Sequence, residues 1–340
     1  MNNLRAMALV GVCVFLAAGV RAQEKAPLAL TQTIPLPGLH DGNFDHFAVD
    51  LPGNRLFLTA EDNSAVEVFD LRAGRLVHTI SSVEKPHAMV YRADIKKLFV
   101  VDGEAAALKI YQSDSYKLAG SIKLMEDADS IAYDPSTKYM YISNSGVDAH
   151  LSYSFISIVD TTAGKKLADI KIDSDGLEAM ALEKSGPRLF FNMTGKDAVG
   201  VIDRGKRMLI ATWPIGQIAK HNTPMAFDEA HHRLFVGTRN PGKLIVLDSD
   251  SGKIIASHPC VGYVDDMVYD HVKKRVYMAG SEFVDVFKEN DADHYELVGH
   301  IPTAVRAKTA ILVPELNRYY LAVPRDKDKT AEVRVYEVLP

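Results

Sequence analysis

The chain has 340 residues, 47% of them hydrophobic and 24% charged, with 39 Lys/Arg against 44 Asp/Glu and a formal net charge of −5. That balance offers no basic surplus to draw nucleic acid or anionic lipid, and the apolar share is ample for a buried core. The two cysteines, Cys13 and Cys260, form no CxxC or CxxCH run, which excludes a Cys-based zinc or redox site and covalent c-type haem.

Residues 1–22 read as a targeting segment rather than as fold. MNNLR is a short positive start, AMALVGVCVFLAAGV (6–20) is apolar, and Val20-Arg21-Ala22 puts small residues where a signal peptidase reads. This predicts a secretory signal cleaved before Gln23 and a mature chain that is periplasmic or extracellular. The apolar run is shorter than the roughly 20 residues of a spanning helix, so no stable membrane span is expected after cleavage; an uncleaved anchor is the alternative. Cleavage leaves 37 basic against 44 acidic residues, a net charge of −7, and Cys260 alone, with no intramolecular disulfide possible.

Residues 23–340 read as one domain, because from about residue 28 a single pattern returns seven times. Its marker, an apolar-x-Asp or its substitute, falls at Asp50, Arg92, Asp134, Glu183, Asp228, Asp270 and Pro314, in steps of 42, 42, 49, 45, 42 and 44 residues. A period in the forties made of short strands predicts an all-β fold, a β-propeller with one four-stranded blade per repeat. The second strand of each repeat is the clearest: RLFLTA (55–60), KLFVVD (97–102), YMYISN (139–144), RLFFNM (188–193), RLFVGT (233–238), RVYMAG (275–280) and RYYLAV (318–323). The third strands, such as AVEVFD (65–70) and KLIVLD (243–248), alternate more cleanly, which predicts one face in polar surroundings. Asp70, Asp160 and Asp248 each stand four residues before a Gly, a tight-turn signature leading to the outer strand. The chain stops after a third strand, and LTQTIPLPG (30–38) matches the outer-strand pattern. The N-terminal strand is therefore expected to complete the last blade and close a ring of seven, removing free sheet edges.

Propeller sites lie where the loops entering the innermost strands meet at the central channel. Five residues before each marker stand Asp45, His87, Asp129, Glu178, Thr223, Asp265 and Thr309, and one step further in His46 and Asp266 are also polar. Four carboxylates, a histidine and two threonines are thus expected to face one axis as a ligand-binding ring. Like charges so confined need solvent, protons or a cation. Asp45, Asp129, Glu178 and Asp265 could hold one divalent cation, with His87 or His46 as ligand or catalytic base. The long loop 143–154 brings Asn144, Asp148 and His150 within reach of the channel, and Arg239 offers an anion contact. The tip 324–331 reads as solvated, and the sequon at Asn192 falls on a strand. No GxSxG, HExxH, P-loop or dinucleotide motif occurs.

GNFDHFAVD (42–50), RLFLTAEDNSAVEVFDLRAGRLVHTI (55–80), the stretch 233–270 and VDVFKENDADHYELVGHIPTA (284–304) resemble the secreted YncE-like, YVTN-type seven-bladed propellers of bacteria. The likeness spans essentially the whole mature chain, although FLTA, FVVD, YISN and FVGT stand where YVTN would. The resemblance implies a secreted propeller, mostly without an assigned reaction. Propellers related to this family include haem d-bearing nitrite reductase domains, quinoprotein dehydrogenase subunits and lactonase-type enzymes. The expected role is a non-catalytic module that binds a small ligand or a protein partner through its top face and channel. A metal-dependent hydrolase of the lactonase type and an electron-transfer or cofactor-associated propeller are the alternatives.

Overall fold

The computed structural model describes residues 26–340; the expected signal at 1–22 lies outside the described residues. These residues form seven four-stranded antiparallel sheets, joined by turns, with three short 3-10 turns and no α-helix among them. The chain is a seven-bladed β-propeller. Blades one to six run outward from strands Phe47–Asp50, Pro86–Arg92, Ala128–Asp134, Met180–Leu182, Lys220–Asp228 and Asp266–Asp270. The seventh contains Thr309–Val313, Arg318–Val323 and Ala331–Val338, and takes its outer strand, Leu28–Leu36, from the other end of the chain. That strand pairs antiparallel with Ala331–Val338, from Leu28 opposite Val338 to Leu36 opposite Ala331, as the N-terminal match to the outer-strand pattern predicts.

The innermost strands touch in sequence around the ring, and Phe47–Asp50 meets Thr309–Val313 where it closes. Between each pair of neighbouring blades lies an apolar cluster. Phe57, Val66, Leu98 and Val100 fill the gap between blades one and two; Leu28, Tyr277, Val284 and Leu321 fill that between six and seven. Both faces of the middle strands are therefore buried, which is why their sequences are nearly continuous in Leu, Val, Phe and Tyr.

The third strands have the expected face in polar surroundings, and the polar groups on it are buried. Their polar alternates are not on a solvent-facing side: Glu67, Ser157 and Asp285 are buried. Each is satisfied from its own blade's outer strand: Thr79 donates to Glu67 at 2.7 Å, Ser157 donates to Asp169 at 2.6 Å, and His300 Nδ1 lies 2.5 Å from Asp285. The alternation marks buried polar groups that pair with exposed polar side chains of the outer strand, because buried polar groups must find partners.

The tight turns follow the Asp-to-Gly reading. Asp70 Oδ1 accepts from the backbone N–H of Arg72 at 2.9 Å and of Ala73 at 2.8 Å, and Gly74, Gly164 and Gly252 have φ of +57°, +65° and +72°. Tyr116 and Arg207 occupy the same left-handed position in blades two and four, so their turns lack the glycine signature. The marker carboxylates sit on the bottom face, where Asp50 pairs with Arg55 at 2.5 Å and Asp134 and Glu183 pair with Arg204 and Arg188.

Candidate functional site at the channel mouth

Each residue of the expected ring enters the channel at the top of an innermost strand, and the backbone explains how. Asp45 N–H donates to Thr59 O at 3.2 Å, and His46 N–H donates to Thr59 Oγ1 at 2.8 Å. Glu178 N–H donates to Asn192 O at 3.1 Å and Asp265 N–H to Ala279 O at 3.0 Å. The second strand of each blade thus holds the entering backbone and leaves the side chain to the axis.

What gathers there is a charge-compensated cluster. His87 Nδ1 lies 2.7 Å from Asp45 Oδ2 and 3.7 Å from Asp129 Oδ1. His46 Nδ1 lies 3.2 Å from Asp266 Oδ1, and its Nε2 lies 3.7 Å from Asp45 Oδ1. Asp266 also accepts from Ala310 N–H at 2.7 Å. Asp265 is held from two sides, by Arg239 and by Lys308. Of the four carboxylates expected around one cation, Asp265 is therefore occupied by fixed cations. The group that converges on a common point is Asp45, His46 and Asp129, whose ligand atoms lie within 4.8 Å of one another.

The two threonines differ. Thr309 Oγ1 donates to Phe44 O at 2.9 Å, tying blade seven to blade one. Thr223 is buried with no partner for its hydroxyl among the described residues, while its carbonyl accepts from Asn192 Nδ2 at 2.8 Å. The Asn192 side chain is fully enclosed, which closes it to glycan attachment. Asn144, expected to reach over the channel, is also fully buried: its amide donates to Ile142 O at 2.9 Å and Ser157 Oγ at 3.1 Å. Arg325, on the tip expected to be solvated, reaches back to donate to Leu39 O at 3.2 Å.

Proximity of opposite charges sets the protonation states. Burial opposes the Asp45 charge, but His46 and His87 outweigh it and hold this carboxyl below its usual range. Burial likewise opposes the imidazolium of His87, yet Asp45 and Asp129 raise it to about 9; His46 is raised well above its usual value by Asp45 and Asp266 against the same opposition. Asp129 is raised to about 6 and Glu178 well above the carboxylate range, by burial and by neighbouring carboxylates. Both imidazoles are thus shifted toward their cationic forms and Asp129 and Glu178 toward their neutral ones, so the channel carries less net charge than its five acids suggest.

Beside this cluster opens a cleft of about 340 Å³ lined by Lys85, His87, Glu104, Glu126, Asp127, Asp148 and His150. Lys85 Nζ stands 3.6 Å from Glu61 and 3.9 Å from Asp148. His87 Nε2, buried and without a hydrogen-bond partner among the described residues, packs against Gly103 in the cleft wall. Sequence reasoning missed Lys85 and Asp127, although both stand seven residues before a marker, two positions ahead of the repeat column read. Arg239 was seen only as an anion contact. Its reach to Asp265 crosses a blade boundary that no spacing reports.

No protein-family model matches this chain, and no curated protein matches it in sequence. Solved structures match in fold. A chain of Kuenenia stuttgartiensis hydrazine synthase is similar with a TM-score of 0.71 and 17% identity, covering 84% of this chain and 95% of that one. A chain of a mitotic checkpoint complex is similar with a TM-score of 0.76 and 12% identity, covering 99% of this chain and 100% of that one. At such identities the likeness defines the class, a seven-bladed β-propeller, and leaves the chemistry to the site.

Proposed function

We propose that this chain is a secreted propeller of the YncE-like kind, with its signal at 1–22 and one domain over 23–340, that binds a small polar ligand or a segment of a partner protein at its channel mouth without transforming it. The observation that carries this reading is the divided environment of His87. Nδ1 is held by Asp45 at 2.7 Å, whereas Nε2 is buried without a partner at the cleft wall. A protonated His87 makes Nε2–H a donor, and an unpaired buried donor costs about 1–3 kcal/mol, which a ligand oxygen recovers. Glu104, Glu126, Asp127 and Asp148 around it favour a cationic group. A ligand carrying both an acceptor oxygen and an amine, such as an amino acid or a peptide end, meets both demands. The similar chain in the mitotic checkpoint complex belongs to a protein assembly, which fits the use of such a face for partners.

The test is a thermal-shift screen of amino acids, short peptides and polyamines against the mature protein, His87→Gln and Asp127→Asn/Asp148→Asn. Ligands that raise the wild-type midpoint are expected to lose at least ten-fold in affinity in each variant. Equal binding to all three proteins rejects the site.

A second reading, a metal-dependent hydrolase of the lactonase type, is favoured by one observation, the convergence of Asp45, His46 and Asp129. A divalent ion there would displace protons from His46 and Asp129 and could polarise a carbonyl. About one equivalent of metal in protein purified without chelator, lost in Asp129→Ala, supports it; a metal-free protein with no lactone or ester hydrolysis sinks it.

A further inference from the structure

Blade five differs from blades one, three and four on the bottom face. In blades one, three and four the buried marker carboxylate is neutralised by an arginine. Asp228, equally buried, has instead His231 Nδ1 at 2.5 Å, and the side chain facing that nitrogen from blade six is a second carboxylate, Glu289, at 3.4 Å. Arg233, the nearby guanidinium, is committed to Asp248 at 3.3 Å and Asp293 at 2.7 Å. One imidazole thus stands against two buried carboxylates.

Glu289 supplies an independent pointer to a ligand. It is only 2% exposed, its Oε2 accepts from Tyr269 O–H, and its Oε1 is buried without a hydrogen-bond partner among the described residues. An anionic oxygen in that condition is costly, and Oε1 is aimed at His231. Tyr269 fixes one oxygen and leaves the other free, the arrangement that outer-shell groups impose on a metal-ligating carboxylate.

We propose that Asp228, His231 and Glu289 form a binding site for a divalent transition-metal ion of the zinc class, separate from the channel mouth, clamping blade five to blade six from the bottom face. One oxygen of Asp228, one of Glu289 and Nδ1 of His231 lie within 4.8 Å of one another. Ligands bonded to one tetrahedral ion at about 2.0–2.2 Å stand roughly 3.3 Å apart. The His231–Glu289 spacing already has that value, and the His231–Asp228 contact must open by less than an ångström. His231 can move to do so, since its side chain is 40% exposed. A cleft of about 340 Å³ lined by Asp228, Glu229, Tyr269 and His271 gives access and room for water to complete the shell. Imidazole with two carboxylates suits zinc or manganese better than calcium, which prefers oxygen alone.

The experiment is a zinc titration by equilibrium dialysis on the mature, metal-stripped Asp129→Ala protein, in which the channel cannot compete. One equivalent is expected, with a raised unfolding midpoint and an X-ray absorption signature of one imidazole among oxygen ligands. His231→Gln or Glu289→Gln added to this background is expected to weaken binding at least 100-fold, and Tyr269→Phe about ten-fold. His231 lies in an exposed turn, so His231→Gln stays decisive if Glu289→Gln fails to fold. No zinc bound, or binding undiminished by His231→Gln, overturns the proposal whatever the channel does.

Discussion

His87 concentrates the physical demands of the channel in one ring. Its imidazolium is stabilised by Asp45 and Asp129 and raised from 6.5 to about 9. A group raised in the folded state contributes stability that is complete below pH 6.5 and lost as pH rises through 9, on the order of 3 kcal/mol. Chemical denaturation of the mature protein between pH 6.5 and 9 is therefore expected to show falling stability, with a visibly flatter slope in His87→Gln. Asp129, raised to about 6, adds a loss of its own as pH rises from 3.8 through 6, and Asp129→Asn is expected to remove it. Gly103 is the residue that lets the His87 ring sit where it does. A Cβ there would lie 3.0 Å from His87 Nε2 and 3.1 Å from Ala128 O. Gly103→Ala is expected to weaken ligand binding several-fold with little change in overall stability, measured by the same thermal-shift comparison. Repeat arithmetic was enough to name Asp45, His87, Asp129 and their column, because position within a repeat fixes which end of a strand a residue occupies. It could not supply their partners. Lys308 and Arg239 reach Asp265 through side-chain length and blade twist, and neither quantity is written in spacing.

At the scale of elements, the turns show how a shared motif acquires different costs. Gly164 and Gly252 occupy the same left-handed turn position, but a Cβ at Gly164 meets nothing within 4 Å, whereas at Gly252 it would fall 2.2 Å from Trp213 Cγ. Gly164→Ala is expected to cost about 1 kcal/mol, the backbone penalty alone. Gly252→Ala is expected to cost about 2–3 kcal/mol, because Trp213 must also move. Urea denaturation of both variants checks the difference. The strands were legible because period-two patterning and length leave little choice, and their observed ends differ from the sequence reading by a few residues: the closing strand starts at Leu28, two residues before the expected match. Burial was less legible. Alternation in the third strands has the same signature whether the polar face meets water or polar side chains of the adjoining outer strand, and only the folded blade decides between them.

For the whole molecule, closure joins the two ends of the described chain through one antiparallel pair, Leu28–Leu36 with Ala331–Val338. Leu28, Ile34 and Leu36 are buried in the inter-blade clusters on either side of blade seven. A mature chain shortened to begin at residue 38 loses these side chains, about 1.5–3 kcal/mol each, and exposes the edge of Ala331–Val338. Loss of cooperative unfolding and concentration-dependent aggregation are expected by calorimetry and size-exclusion chromatography. The intact ring holds the channel residues from seven separate blades rigidly enough for unlike charges to compensate one another, and it leaves a donor at the cleft wall, His87 Nε2, for a ligand. The measurement closest to that claim is a ¹⁵N NMR titration of the His87 imidazole in the mature protein, free and with a ligand from the screen. Both nitrogens are expected to stay protonated to about pH 9, with the Nε2 signal moving when ligand binds while Nδ1 remains tied to Asp45. A ring that titrates near pH 6.5, or an Nε2 signal that no bound ligand moves, contradicts the account.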